Sequence, residues 1–170
     1  DNTVGSRSKI MKEIAEKCDR AYIAGFLDGD GSLMLQLKKR SDNKRGIRFM
    51  ATICFYQDTR HEKTLYWIKK VLGIGYISIR NDGMTELRIN GYKQIGNILI
   101  NLSPYIRFKK LQASALVKAC EVISETKYSK ISKSQLAKIV DLILVIQSEN
   151  YVTKKKKTKS ELYKILGLTP

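Results

Sequence analysis

Two carboxylates two positions apart, Asp28 and Asp30, close a segment that otherwise carries few polar groups: Tyr22-Ile23-Ala24-Gly25-Phe26-Leu27-Asp28-Gly29-Asp30-Gly31. Lys and Arg number 32 against 16 acidic residues, a net charge of +16, so acids gathered at one spot imply a cation beside them. Mg2+ suits such a place, because it takes oxygens from one or two carboxylates and completes its shell with water and phosphate. Two such ions can activate an attacking water and stabilise the leaving oxygen of a phosphodiester. The chemistry to expect is therefore metal-assisted cleavage of a nucleic-acid backbone.

A helix must carry these acids. Asp19 is expected to cap it, with the body over Ala21 to Asp28 and the end at Gly29-Asp30-Gly31. Ala21, Gly25 and Gly29 recur every four residues, leaving one helix face almost without side chains. Two such faces can bring helix backbones nearly into contact, although the same stripe would also serve ordinary packing on the chain's own core. The segment occurs once, so a helix pair built from it needs a second chain and a twofold dimer follows. Symmetry then sets one Asp30 from each chain near the dyad.

After Gly31 the apolar period changes to two. Leu33, Leu35 and Leu37 share a face opposite Met34, Gln36, Lys38 and Arg40; beyond a polar loop, Ser41 to Arg45, Ile47, Phe49, Ala51, Ile53 and Phe55 oppose Arg48, Met50, Thr52, Cys54 and Tyr56. Helical spacing returns over 59–72 and ends at Gly73. A second hairpin follows over 76–80 and 84–90 around Asn81-Asp82-Gly83, with Tyr76, Ser78, Arg80, Glu86 and Arg88 on its polar side. The remainder reads as helices near 91–102, 108–125, 133–148 and 160–166. An α+β domain is predicted, with helices on one face of a four-stranded sheet and a basic polar surface on the other. The expected organisation is an N-terminal arm or short helix over 1–17, one domain over 18–150, and a basic tail with a short helix over 151–170.

The segment from Tyr22 to Gly31 resembles the motif that names the LAGLIDADG homing endonucleases. The surrounding αββαββα order, from about residue 20 to about 125, is similar to theirs. The resemblance implies a single-motif, intron-encoded homodimer whose saddle-shaped antiparallel sheet lies along DNA, with additional C-terminal helices. It implies hydrolysis of one phosphodiester on each strand of a long pseudo-palindromic site, across the minor groove, leaving short 3' overhangs. Mg2+ is the implied cofactor; Mn2+ or Ca2+ can take the same sites, Ca2+ without supporting cleavage. Carried over by position, Asp30 and the Gly29 carbonyl are the metal ligands, Gln57 orders water around the metals, and Lys109 stands near the scissile phosphate. Ala21, Gly25, Phe26 and Gly29 are the implied dimer contacts. Asp28 is expected to cap or to hydrogen-bond within the motif.

The base-facing set is read from the polar strand positions: Met34, Gln36, Lys38, Arg40, Arg48, Thr52, Ser78, Arg80, Glu86 and Arg88. Arg suits guanine and Gln suits adenine, while Glu86 either accepts from cytosine or holds a neighbouring arginine. Lys44, Lys93 and the Lys154–Lys157 run are expected to neutralise phosphates.

Three scattered cysteines, Cys18, Cys54 and Cys120, and one histidine, His61, rule against a zinc site or a disulfide framework. The cysteines are expected buried or half-buried, and His61 on the surface of its helix. No apolar run approaches about 18 residues and no leader is evident, so neither membrane insertion nor secretion is expected and the setting is intracellular, a prokaryotic cytoplasm or an organelle. No small-molecule substrate is expected. Two rival readings are an RNA-splicing maturase and a DNA-binding regulator that has lost cleavage.

Overall fold

The computed structural model describes residues 3–41, 46–127 and 130–169. Its first helix, α1 (Thr3–Asp30), begins well before the expected start. Asp19 lies inside it and caps nothing, which corrects the sequence reading. Residues 9–18 contain neither Gly nor Pro, and ion pairs one turn apart, Glu13–Lys17 at 2.8 Å and Glu16–Arg20 at 3.8 Å, support the extra turns. From Thr3 onward the segment 1–17 is part of this helix.

The core side of α1 is Ile23, Ala24 and Leu27, all fully buried. Ala21, Gly25 and Gly29 are exposed, and a Cβ added at Gly25 or Gly29 would meet no atom within 4 Å. The small-residue stripe therefore does not pack on the chain's own core.

The helix passes without a turn into strand β1 (Gly31–Lys39). At that junction a Cβ on Gly31 would stand 2.7 Å from Leu27 Cδ1 and 2.8 Å from the Leu27 backbone. Backbone cannot swing aside as a side-chain tip can, so Gly31→Ala is expected to cost about 2 kcal/mol or more. A thermal melt should show the transition lowered by about 4 °C or more; an unchanged melt would mean that the junction is looser than its geometry.

Strands β2 (Ile47–Asp58), β3 (Tyr76–Ile79) and β4 (Met84–Asn90) complete one antiparallel sheet in the order β1-β2-β4-β3. The predicted alternation holds on the core side, where Leu33, Leu35, Phe49, Ala51, Ile53, Phe55, Leu87 and Ile89 are buried. A 3-10 turn (Thr59–His61), capped by Asp58, starts the segment expected to be wholly helical, and α2 (Lys63–Leu72) ends at Gly73 with φ 70°. Then come α3 (Tyr92–Leu102), α4 (Lys110–Glu125), α5 (Lys133–Glu149) and α6 (Lys159–Leu166). Reciprocal caps at Ser132/Gln135 and Thr158/Glu161 set the last two starts. One core joins the inner sheet face to Ile95, Leu99, Leu116, Ala119, Ile139 and Val140 from α3, α4 and α5.

Cys54 and Cys120 are buried as expected, and burial pushes the Cys120 thiol up to about 12; Cys18 is exposed, contrary to expectation. Residues 42–45, and Lys44 with them, lie outside the described residues. Among those described, no helix is long and apolar enough to cross a membrane.

Candidate active site

The C-terminal end of α1 delivers its two acids to different surroundings. Asp30 is exposed, and its carboxylate accepts no hydrogen bond among the described residues. Asp28 is only 4% exposed. Its two oxygens accept from the backbone N–H of Arg107 at 2.7 Å and of Lys109 at 3.1 Å. These bonds leave the motif and hold the loop ahead of α4, not the helix that contains Asp28. Lys109 occupies the N-cap position of α4 without capping it, and the Asp28 carboxylate supplies the missing acceptor at that positive helix end.

The same tether fixes Lys109. Its side chain is buried and Nζ donates to the Asp28 carbonyl. Desolvation pushes the ammonium below its ordinary lysine value, while Asp28 and Asp30 pull it back up. The structure thus brings Asp30, the end of the motif helix and Lys109 together from distant parts of the chain. Gln57, next to last in β2, lies at the same end of the sheet, since Gly31 pairs with Phe55 two residues earlier. Its Oε1 accepts from the Asp58 N–H at 2.9 Å. His61 is exposed in the 3-10 turn.

An exposed carboxylate at a helix C-terminus joins a full negative charge to the negative end of the helix dipole. That donor set of hard oxygens fits Mg2+ or Ca2+ far better than a soft metal. Among the described residues no three His, Cys, Asp or Glu side chains converge on a metal position.

The outer sheet face extends from this end in rows set by the register. Tyr56, Glu86 and Ser78 are paired across β2, β4 and β3; the next row is Ser32, Cys54, Arg88 and Tyr76. Beyond them come Met34 with Thr52 and Asn90, Gln36 with Met50, and Lys38 with Arg48. Gln36, Lys38, Arg40, Arg48 and Arg80 are exposed. Thr52, read as a base-facing donor, is fully buried and donates to Asn90 Oδ1 at 2.8 Å. Glu86 is 8% exposed and takes the second of its two readings: it lies 3.0 Å from Arg88 and 4.0 Å from Arg80. Glu86 thereby orients the Arg88 head through two hydrogen bonds, while the Arg80 head is bonded to Asp82 at 2.8 Å.

Ser32 and Asn90 belong to this face and were overlooked in the sequence. Parity alone would have found them, Ser32 two residues before Met34 and Asn90 two after Arg88. Ser32 pairs with the Tyr56 hydroxyl at 3.1 Å. The basic run is also close by. Lys157 is held by Gln147 through its N–H at 2.9 Å, and a cleft of about 230 Å3 lined by Gln36, Lys38, Lys155 and Lys157 separates it from β1.

Comparison with known proteins bears on these features. The sequence pattern described as LAGLIDADG endonuclease matches residues 23–120. The chain is 32% identical to the DNA endonuclease I-CvuI of Chlorella vulgaris over 107 residues, 63% of this chain and 66% of that protein. Over 140 residues it is 29% identical to the DNA endonuclease I-CreI of Chlamydomonas reinhardtii, covering 82% and 83% of the two. The crystal structure of I-CvuI in complex with its target and calcium superposes with a TM-score of 0.80 at 25% identity, over 92% of this chain and 99% of that one. I-SmaMI bound to an uncleaved DNA target superposes at 0.69 and 23% identity, over 89% of this chain but 50% of its own.

Proposed function

Because the chain belongs to the LAGLIDADG endonuclease family, we propose that two copies of it bind one long, approximately palindromic stretch of duplex DNA and hydrolyse one phosphodiester on each strand. The observation that carries the reading is the end of α1, where an exposed Asp30 stands beside the buried Lys109 that Asp28 tethers.

The dimer rests on the open stripe of Ala21, Gly25 and Gly29, which invites a second backbone, with Phe26 beside it. It is supported by I-SmaMI, whose chain matches this one over half its length and so has room for two such units. Twofold symmetry would bring two Asp30 carboxylates to one point, completing the cation site that a single chain leaves partial. Asp30 and the Gly29 carbonyl would hold Mg2+, which when bound lowers the pKa of water and offsets charge on the leaving oxygen. Gln57 would orient water at that centre. Lys109 would place a desolvated positive charge against the scissile phosphate, where negative charge grows in the transition state. The outer sheet face, with Gln36, Lys38, Arg48, Arg80 and Arg88, would lie in the major groove on each side. The minor groove would face the dyad, and staggered cuts there would leave short 3' overhangs. Most of the +16 charge would act on phosphates, so binding should weaken steeply with salt.

A cleavage selection tests this reading. A plasmid pool with long, twofold-biased random sites is incubated with the protein and Mg2+, with Asp30→Asn as control. Breaks at one related set of sites, absent with Asp30→Asn, are the expected result. Metal-independent enrichment of a site without cleavage would favour a regulator, and neither result would point to structured intron RNA.

A further inference from the structure

The N-terminal half of α1 has no assigned role, yet its surface is ordered. Met11, Ala15, Cys18, Tyr22, Gly25 and Gly29 succeed one another at alternating steps of four and three residues, and every one of them is exposed. That spacing is a seven-residue repeat, the pattern that keeps one helix seam facing a partner over several turns. Met11 is 65% exposed and Tyr22 54%, the Tyr22 ring meeting Trp67 of α2 edge-on at 5.4 Å and leaving the rest of its surface open. The ion pairs Glu13–Lys17 and Glu16–Arg20 fall outside this seam, as the outward positions of a coil do. Gly25 and Gly29 are the last two members of the repeat, so the seam runs on from the stripe through which two chains are proposed to meet.

We propose that residues 9–22 of α1 pair with the same segment of a second copy as a parallel coiled coil that extends the dimer beyond the catalytic domain. This rests on the twofold reading above and adds to it a second, DNA-independent clasp. The direction follows from the symmetry. If both Asp30 residues meet at one cleavage point, both helices leave it the same way and run side by side. Equivalent seam residues then face one another across the dyad, and Cys18 lies opposite Cys18 of the second copy. A left-handed crossing near 20° keeps such helices together, whereas a steep crossing at the glycines would splay them apart.

The full chain, Met11→Glu/Ala15→Glu and Gly25→Arg are compared by sedimentation over a dilution series without DNA. Each is also treated with a short bismaleimide, with Cys18→Ser as the thiol control. Met11 and Ala15 are exposed, and a melt checks that the double variant keeps its fold. The expected result is a dimer that cross-links through Cys18, with Met11→Glu/Ala15→Glu weakening association at least about tenfold. A dimer lost in Gly25→Arg, unmoved in the double variant and not cross-linked through Cys18 would overturn the coil and leave the glycine contact standing. A native chain that stays monomeric at all concentrations and with DNA would overturn the dimer reading and the coil with it.

Discussion

Asp30→Asn is expected to reduce duplex cleavage by about a thousandfold or more while leaving binding to the selected site within a few-fold. Asparagine keeps the size of the side chain and one carbonyl oxygen but removes the charge that would hold a divalent cation. Because Asp30 is exposed and accepts no hydrogen bond among the described residues, the fold has nothing to lose. Its melting temperature should match that of the native chain, which separates a chemical defect from a folding one. Single-turnover cleavage in Mg2+ gives the rate, and a binding titration in Ca2+ gives the affinity. In the proposed dimer each strand break draws on a shared centre, so mixed dimers with one Asp30→Asn chain should also be impaired on both strands. Cleavage within tenfold of the native rate would remove Asp30 from the metal site.

Asp28→Ala should show the opposite profile, with stability and activity falling together. The carboxylate is nearly inaccessible and satisfies the N–H groups of Arg107 and Lys109 at 2.7 and 3.1 Å. Without it those donors, and a buried ammonium beside them, lose their acceptor and counter-charge, at a cost of about 3 kcal/mol or more. For a chain of this size the melting temperature should drop by roughly 6 °C or more. A displaced Lys109 should also slow cleavage roughly a hundredfold, since small errors in placing a charged group near a reacting phosphate are costly. Asp28→Asn should fall between, since it keeps one acceptor but turns an amide donor toward a backbone N–H. If Asp28→Ala melts with the native chain, the loop before α4 is held by other contacts, and the tether has no part in positioning Lys109.

The two acids of the motif illustrate how far the sequence could be read. Spacing and charge singled out both, and the resemblance distinguished the proposed ligand position from its neighbour. What Asp28 bonds to was out of reach, because its partners lie 79 and 81 residues away and no local period encodes them. The strand faces show a similar division. Alternation assigned Thr52 and Glu86 to the outer side, but it says nothing of how closely Asn90 or Arg88 covers them. Asp19 was read as a cap from residue type alone. The turns before it are helical nonetheless, with ion pairs one turn apart and no helix breaker between residues 9 and 18.

By itself the sequence determined the order of elements, the family and which side of each strand meets the core, and it singled out the segment proposed to hold a cation. All of these follow from local periodicity and residue type, which survive in one dimension. Only the tertiary structure decided that the glycine stripe of α1 is open instead of packed on its own core. It also decided that Glu86 clamps Arg88, and that Lys109 is lodged at the end of the motif helix. Those outcomes depend on which distant surfaces share one buried volume, and burial is a property of the packed chain, not of any window along it.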